Sequence, residues 1–363
     1  MSAETITVTK PHVPDKRRFY AYVERALDNR WLTNDGPLVR ELKEKLEDYL
    51  GVSNILLVGN GTLGILVALK IANCSKVLTT PFSFPATSSA PVWANIGVSY
   101  GDICPNTYNL VAPQTQNLND VDGVLATHVY GNPCDLVAME RLASDWEVPI
   151  VYDAAHAFGV KVSGQSILDY GDMSVLSFHA TKLFHCGEGG AIRFQREDDY
   201  IAAKEMINFG YSTEARIQSV GINAKMNELE AAMGLAVLEE IDSILDAYRA
   251  NYEFYDELLD DRLKRQRVSD TVDYNYSYFP VLFPDSSSLK TTVEALNKKN
   301  IFPRNYFSPS LDTIEVYGVH SRCEVSRDIA ARILCLPTYS TLAEADMRRI
   351  CETVNLAFEK SDC

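Results

Sequence analysis

Between about residues 54 and 195, short apolar runs alternate with Gly, Pro, Asn or Ser breaks and with segments of helical period, the rhythm of an α/β domain. The runs at 54–59, 77–81, 98–102, 123–127, 149–153, 172–177 and 191–194 predict strands. Several are apolar on both faces, as buried parallel strands are. Helical periods at 62–72, 86–93 and 136–145 fit between them, while 39–50 and 227–255 read as longer amphipathic helices. Near 265–275 the pattern turns polar and charged; beyond it, 276–283 predicts a strand, 287–300 a helix and 342–358 a final helix. The expected fold is α/β: a large domain over residues 1–250, with a mostly parallel mixed sheet flanked by helices, and a smaller α+β domain over residues 251–363. The long helix near 227–260 would join them.

Composition narrows the functional classes. The 363 residues suit two domains, and 46% hydrophobic with 23% charged residues is ordinary for a globular chain. Against 34 Lys+Arg stand 49 Asp+Glu, a formal charge of -15, which repels phosphate backbones and anionic lipid, so neither nucleic acid nor membrane is an expected partner. The N-terminus lacks a basic start followed by an apolar run, and no stretch nears the ~20 apolar residues of a membrane span. A cytoplasmic location is expected. The eight cysteines are scattered without a C-x-x-C pair, against both a disulfide framework and structural zinc, and most read as small core residues. His179 and His185 flank Cys186 without a fourth ligand, so no metal is expected.

Three segments carry candidate chemistry. In Leu57-Val-Gly-Asn-Gly-Thr-Leu-Gly64 an apolar strand runs into a Gly-rich turn and a helix start, where backbone N–H groups can hold a phosphate. The turn matches neither dinucleotide nor P-loop spacing, and a tight turn capped by Thr62 is the alternative. In Val148-Pro-Ile-Val-Tyr-Asp-Ala-Ala-His-Ala-Phe-Gly159, Asp153 ends a central strand, the place where open α/β sheets bind ligands. A helix cap is the alternative for Asp153, but it gives His156 no role. In Asp172–Gly190, Lys182 sits among Phe178, Ala180, Leu183 and Phe184; desolvation there would lower its pKa and make it a nucleophile able to form a Schiff base. The alternative is a lysine that snorkels to solvent. A phosphate cradle, a strand-end acid and a desolvated lysine together are what pyridoxal 5′-phosphate needs, and Phe84 would offer its ring a stacking face.

The order of Trp31-Leu-Thr-Asn-Asp-Gly-Pro37, Asn60-Gly-Thr62, Tyr152-Asp-Ala-Ala-His-Ala-Phe-Gly159, Ser177-Phe-His-Ala-Thr-Lys182, Glu188-Gly-Gly190 and Asn223-Ala-Lys-Met-Asn-Glu228 resembles the DegT/DnrJ/EryC1/StrS group of sugar-nucleotide aminotransferases, within the aspartate aminotransferase fold (fold type I). The resemblance spans nearly the whole chain. It implies that Lys182 is the Schiff-base lysine, that Asp153 partners the pyridinium nitrogen, and that His156 lies against the cofactor ring. It also implies that Gly61, Thr62 and Ser177 hold the phosphate, with Asn223 reaching in from the other subunit of a homodimer. A cap on the helix starting near 227 is the alternative for Asn223.

The reaction so implied moves an amino group, with glutamate as donor, to a nucleotide-linked keto sugar. A dehydratase branch carries histidine at the lysine position; Lys182 argues for amino transfer. Trp31–Asn34, Thr79–Phe84, His128–Cys134 and the lysine segment look most like enzymes that aminate C4 of a 4-keto-6-deoxyhexose, with a dTDP handle and a role in O-antigen or other glycan synthesis expected. Thr33, Tyr130 and His185 are candidate sugar contacts, and Arg304 a candidate for an anionic group, although a solvent-facing loop arginine is its default. Two rival readings stay open: a transaminase of small amino acids, with Arg304 or Arg332 holding a carboxylate, and a non-catalytic sensor on the same fold.

Overall fold

A computed structural model describes residues 5–113, 120–212, 214–318 and 322–361. Seven strands form the main sheet: β1 (Ile55–Val58), β2 (Lys76–Thr79), β3 (Gly97–Tyr100), β4 (Gly123–Thr127), β5 (Ile150–Asp153), β6 (Met173–Ser177) and β7 (Gly190–Phe194). Their order is β1-β7-β6-β5-β4-β2-β3. β7 runs antiparallel to both neighbours and the other pairs are parallel. All seven were legible as apolar runs, because β1, β4, β5 and β7 are buried at every position and so lack the alternation of a half-exposed strand. One face packs Leu57, Leu176 and Ala191 under helices; the other packs Val58, Val175 and Ile192.

The helices are α1 (Lys16–Asp28), α2 (Pro37–Leu50), α3 (Gly61–Ile71), α4 (Ala86–Trp93), α5 (Leu136–Trp146), α6 (Glu197–Met206), α7 (Glu228–Leu238), α8 (Ile241–Leu258), α9 (Ser286–Asn297), α10 (Glu324–Arg332) and α11 (Glu344–Ser361). The expected single helix over 227–255 is corrected to two, α7 and α8. The break falls where the N-terminal segment docks: the Glu240 carboxylate accepts from Asp15 N–H at 2.9 Å and meets His12 Nε2 at 2.9 Å, while Tyr22 Oη donates to Glu239 at 2.5 Å. α1 escaped the hydrophobic pattern because only Tyr22 and Ala26 of its thirteen residues are buried.

A second sheet joins β8 (Lys264–Arg265), β9 (Phe279–Leu282) and β10 (Ile333–Leu336) in the order β8-β9-β10, all antiparallel. It packs against α8, α9 and α11 through Tyr255, Phe279, Leu296 and Val354. The short strand Ile6–Thr7 lies parallel to Ile301–Phe302, so this part of the N-terminal segment pairs with the C-terminal part of the chain. The strand expected over 276–283 shortens to β9, because Tyr276 turns through a positive φ of 56° and Asn275 donates to the carbonyls of His156 and Phe158. Of the cysteines, Cys74, Cys134, Cys186, Cys323, Cys335 and Cys351 are buried free thiols and Cys104 is half-buried; Cys363 lies outside the described residues.

One contact explains two motifs 190 residues apart in sequence. The helix α2 has Gly36 as its cap residue and so no capping side chain of its own. Buried Glu228, at the start of α7, supplies it: Oε2 accepts from Leu38 N–H and Oε1 from Val39 N–H, both at 2.9 Å. A Cβ on Gly36 would meet that carboxylate at 2.6 Å, so only glycine admits the approach. Replacing Glu228 by Ala strands two buried N–H groups, and should lower unfolding stability by about 2–4 kcal/mol in urea titrations; Glu228→Gln, which keeps one acceptor, should lose less.

Candidate active site

The carboxyl ends of β5 and β6 and the start of α3 border a cleft of about 380 Å³, on the sheet edge where α/β proteins place ligands. The start of α3 is set by Asn60, whose side chain accepts from Leu63 N–H at 2.9 Å and whose carbonyl accepts from Gly64 N–H. Thr62 is therefore not the cap. Of the four N–H groups a helix start leaves over, those of Gly61 and Thr62 have no acceptor among the described residues. Ser177 closes against them, so tightly that a Cβ on Gly61 would meet Ser177 Cβ at 3.0 Å.

Asp153 ends β5 and is buried. Its Oδ2 accepts from the Thr87 hydroxyl at 2.7 Å and its Oδ1 from Ala155 N–H at 3.2 Å. Thr87 is backed by Ser83 at 2.7 Å, and Ser83 by Thr127 at 3.3 Å, a line of hydroxyls that fixes one carboxylate oxygen. Burial raises the pKa of Asp153, against the lowering pull of those donors and of Lys182. The Lys182 Nζ donates to Tyr278 Oη at 3.2 Å. Desolvation depresses its pKa to about 8, with Asp153 pulling the other way. His156 is held well below the usual histidine pKa, first by burial and then by Lys182. Its Nδ1 accepts from Tyr130 N–H at 3.2 Å, which assigns the ring proton to Nε2. The ring lies parallel to Phe307, 5.6 Å between centroids.

Of the residues singled out in the sequence, Gly61, Thr62, Phe84, Asp153, His156, Ser177 and Lys182 line this one cleft. Five do not. Tyr130 is wholly buried, its hydroxyl donated to the Tyr306 carbonyl and its own carbonyl taken by Tyr274; it supports the wall from behind. His185 is buried, donating from Nε2 to the His12 carbonyl at 2.7 Å while Nδ1 accepts from Gly187 N–H. Thr33 and Arg304 are exposed and off the cleft. Asn223 is exposed, its Oδ1 accepting from Lys225 at 2.8 Å; the cap expected of it as an alternative belongs to Asn227, which forms a reciprocal box with Glu230. Arg332, the other arginine weighed for a carboxylate, is committed to Asp328 and to the Phe283 carbonyl.

Thr87, Tyr278, Tyr306 and Phe307 also shape the cleft or its acid. Thr87 stands in the predicted helix 86–93, yet nothing in spacing ties it to an acid 66 positions away. Tyr278 was hidden inside a segment read as a strand.

A mostly parallel sheet with an acid, a desolvated lysine and a bare helix start converging at its carboxyl edge defines a pyridoxal 5′-phosphate-dependent aminotransferase. The profile of the DegT/DnrJ/EryC1/StrS aminotransferase family matches residues 14–355. The chain is 36% identical over 370 residues to a dTDP-4-amino-4,6-dideoxy-D-glucose transaminase of Shigella dysenteriae, covering 96% of this chain and 98% of the relative. It is 33% identical over 365 residues to one of Escherichia coli, covering 95% and 96%. Among solved structures, DesI in the presence of its TDP-sugar product superposes with a TM-score of 0.93 at 31% identity, over 99% of this chain and 94% of that one. The chain belongs to the DegT/DnrJ/EryC1/StrS aminotransferase family.

The buried amine gives a direct test. Only the neutral form reacts, so acetylation of Lys182 in cofactor-free protein should rise through a midpoint near pH 8, while an ordinary exposed lysine rises near ~10.4. Peptide mass spectrometry after competitive labelling reads both.

Proposed function

We propose that this aminotransferase transfers the amino group of glutamate to C4 of a nucleotide-linked 4-keto-6-deoxyhexose, with dTDP as the nucleotide, in the synthesis of an amino sugar for O-antigen or another glycan. The observation that carries the sugar and the nucleotide is the pair of relatives at 36% and 33% identity whose names give a dTDP-linked 4-amino-4,6-dideoxyglucose. The engagement of Arg332 with Asp328 weighs against the small-amino-acid reading. Seven free cysteines among the described residues support a reducing compartment, the cytoplasm. The same reading divides the chain near residue 250, with the strand Ile6–Thr7 beside the smaller unit.

The residues present fit the cofactor. Bare Gly61 and Thr62 N–H groups beside Ser177 suit a phosphate dianion at a helix start, and a buried carboxylate suits a protonated ring nitrogen. Bound pyridoxal phosphate supplies a carbonyl that condenses with amines and a ring that accepts the electron pair left when a C–H proton departs. Lys182 would carry it, and Nζ, close to half neutral near pH 8, is fitted to take and return that proton. A cationic ring nitrogen beside Asp153 would favour its ionised form, against the raising effect of burial. His156, its pKa held low by burial and its ring fixed by Tyr130 N–H, would pack against the cofactor ring without adding charge. Over a full cycle glutamate leaves as its 2-keto acid and the sugar's keto oxygen as water.

Asn223, read as a donor to the partner's phosphate site, lies on a segment that also exposes Phe209, Ile217 and Val220, the last 93% exposed. Bare apolar groups of this kind support a second copy as cover.

Three outcomes are expected. Lys182→Ala should lose turnover and borohydride-fixed attachment of pyridoxal phosphate; retention of either sinks the assignment of Lys182. Mixing Lys182→Ala with Asn223→Ala protein should restore activity above both parents, since one site of each mixed dimer is intact, whereas no recovery would place Asn223 within its own chain's site. Incubated with glutamate and a panel of keto-sugar nucleotides and simple keto acids, the enzyme should yield its main aminated product, read by mass spectrometry, from a dTDP-linked 4-keto-6-deoxy sugar; preference for a keto acid would overturn the substrate.

A further inference from the structure

We infer that Tyr278 is a positioning residue for Lys182: a hydroxyl carried by the segment that enters the C-terminal sheet and held against the amine, able to meet it in either protonation state. The inference rests on the reading of Lys182 as the residue that bears the cofactor.

Among the described residues, Tyr278 Oη is the one side-chain group within hydrogen-bond reach of Lys182 Nζ, at 3.2 Å. Its ring also flanks the amine, 5.8 Å from Nζ to the centroid, and sits 4.8 Å from the His156 ring. That placement is built and not incidental. The turn at Tyr276 and the two bonds from Asn275 to the His156 and Phe158 carbonyls pin the segment to the loop that follows Asp153. The ring thus has a fixed address relative to both the acid and the histidine.

A phenol suits this place because one oxygen does two jobs. Toward an ammonium it accepts; toward a neutral amine it turns its proton and donates. No heavy atom has to move between the two. Burial holds the phenol itself well above its ordinary pKa, so the hydroxyl keeps its proton throughout. The other titratable groups facing the amine are Asp153 and His156 from the strand-end loop, His179 and Glu188 from its own loop, and Tyr306 from the C-terminal side.

Tyr278→Phe keeps the ring and removes the acceptor. An ammonium in a desolvated wall then loses its hydrogen bond, so the charged form is weakened more than the neutral one. In cofactor-free protein the acetylation midpoint of Lys182 should move down by about one pH unit, a tenfold change in proton affinity, from its place near 8. In the holoenzyme kcat should fall about tenfold with KM for the sugar nucleotide little changed, since the phenol acts on the amine. An unchanged midpoint overturns the inference, whatever happens to turnover. If Tyr278→Phe does not fold, 3,5-difluorotyrosine installed at 278 keeps the shape while weakening the acceptor; a smaller downward shift supports the inference and no shift overturns it. The underlying reading fails separately: it falls if borohydride fixes pyridoxal phosphate to a lysine other than Lys182 in the unaltered protein.

Discussion

Taking a carboxylate or an ammonium out of water costs several kcal/mol unless partners meet it, and the cleft holds one of each, Asp153 and Lys182, in a single buried wall. Much of the surrounding architecture answers that cost. Thr87 and Ala155 N–H satisfy the acid, Tyr278 meets the amine, and each charge moderates the other. The compensation is incomplete by design of the site: Asp153 is left higher, and Lys182 lower, than either would be in water. A site tuned in this way suits a buried cationic partner and proton exchange near neutral pH.

The sheet makes this possible by geometry. Parallel β4, β5 and β6 end together, so Asp153 and Ser177 project at one edge, and Gly190 at the start of β7, where a Cβ would meet Gly61 N at 2.8 Å, admits the start of α3 beside them. Around that edge, segments distant in sequence are welded by buried polar contacts. Glu228 joins the starts of α7 and α2, and Asn275 joins the C-terminal part to the loop after Asp153. Function and stability draw on the same contacts, as expected where polar groups are buried.

How much of this was legible beforehand depended on the range of the interaction. The seven strands of the main sheet declare themselves because their apolar runs are local and continuous. Asp153 and Lys182 could be picked out by type and setting. Thr87 and Tyr278 could not, because a hydroxyl becomes a partner only when the fold brings it across 66 or 96 positions. Tyr130 and His185 stand in suggestive stretches, yet the fold gives the Tyr130 hydroxyl and His185 Nε2 to backbone carbonyls, which no local pattern announces. The break between α7 and α8 coincides with the docking of His12 and Asp15 on Glu240, a contact from far away in sequence that no local pattern announces.

The loop that carries Lys182 is braced through His185, which holds the His12 carbonyl, while the His12 ring spans Glu240 and Ser340. Tyr278 adds a tether from late in the sequence. A ribosome delivers residue 12 well before residue 340, so the Lys182 amine cannot be set in its final place until the later segments that brace it have emerged. Synthesis order itself thereby delays the final setting of this amine until segments far apart in sequence are all available to enclose it.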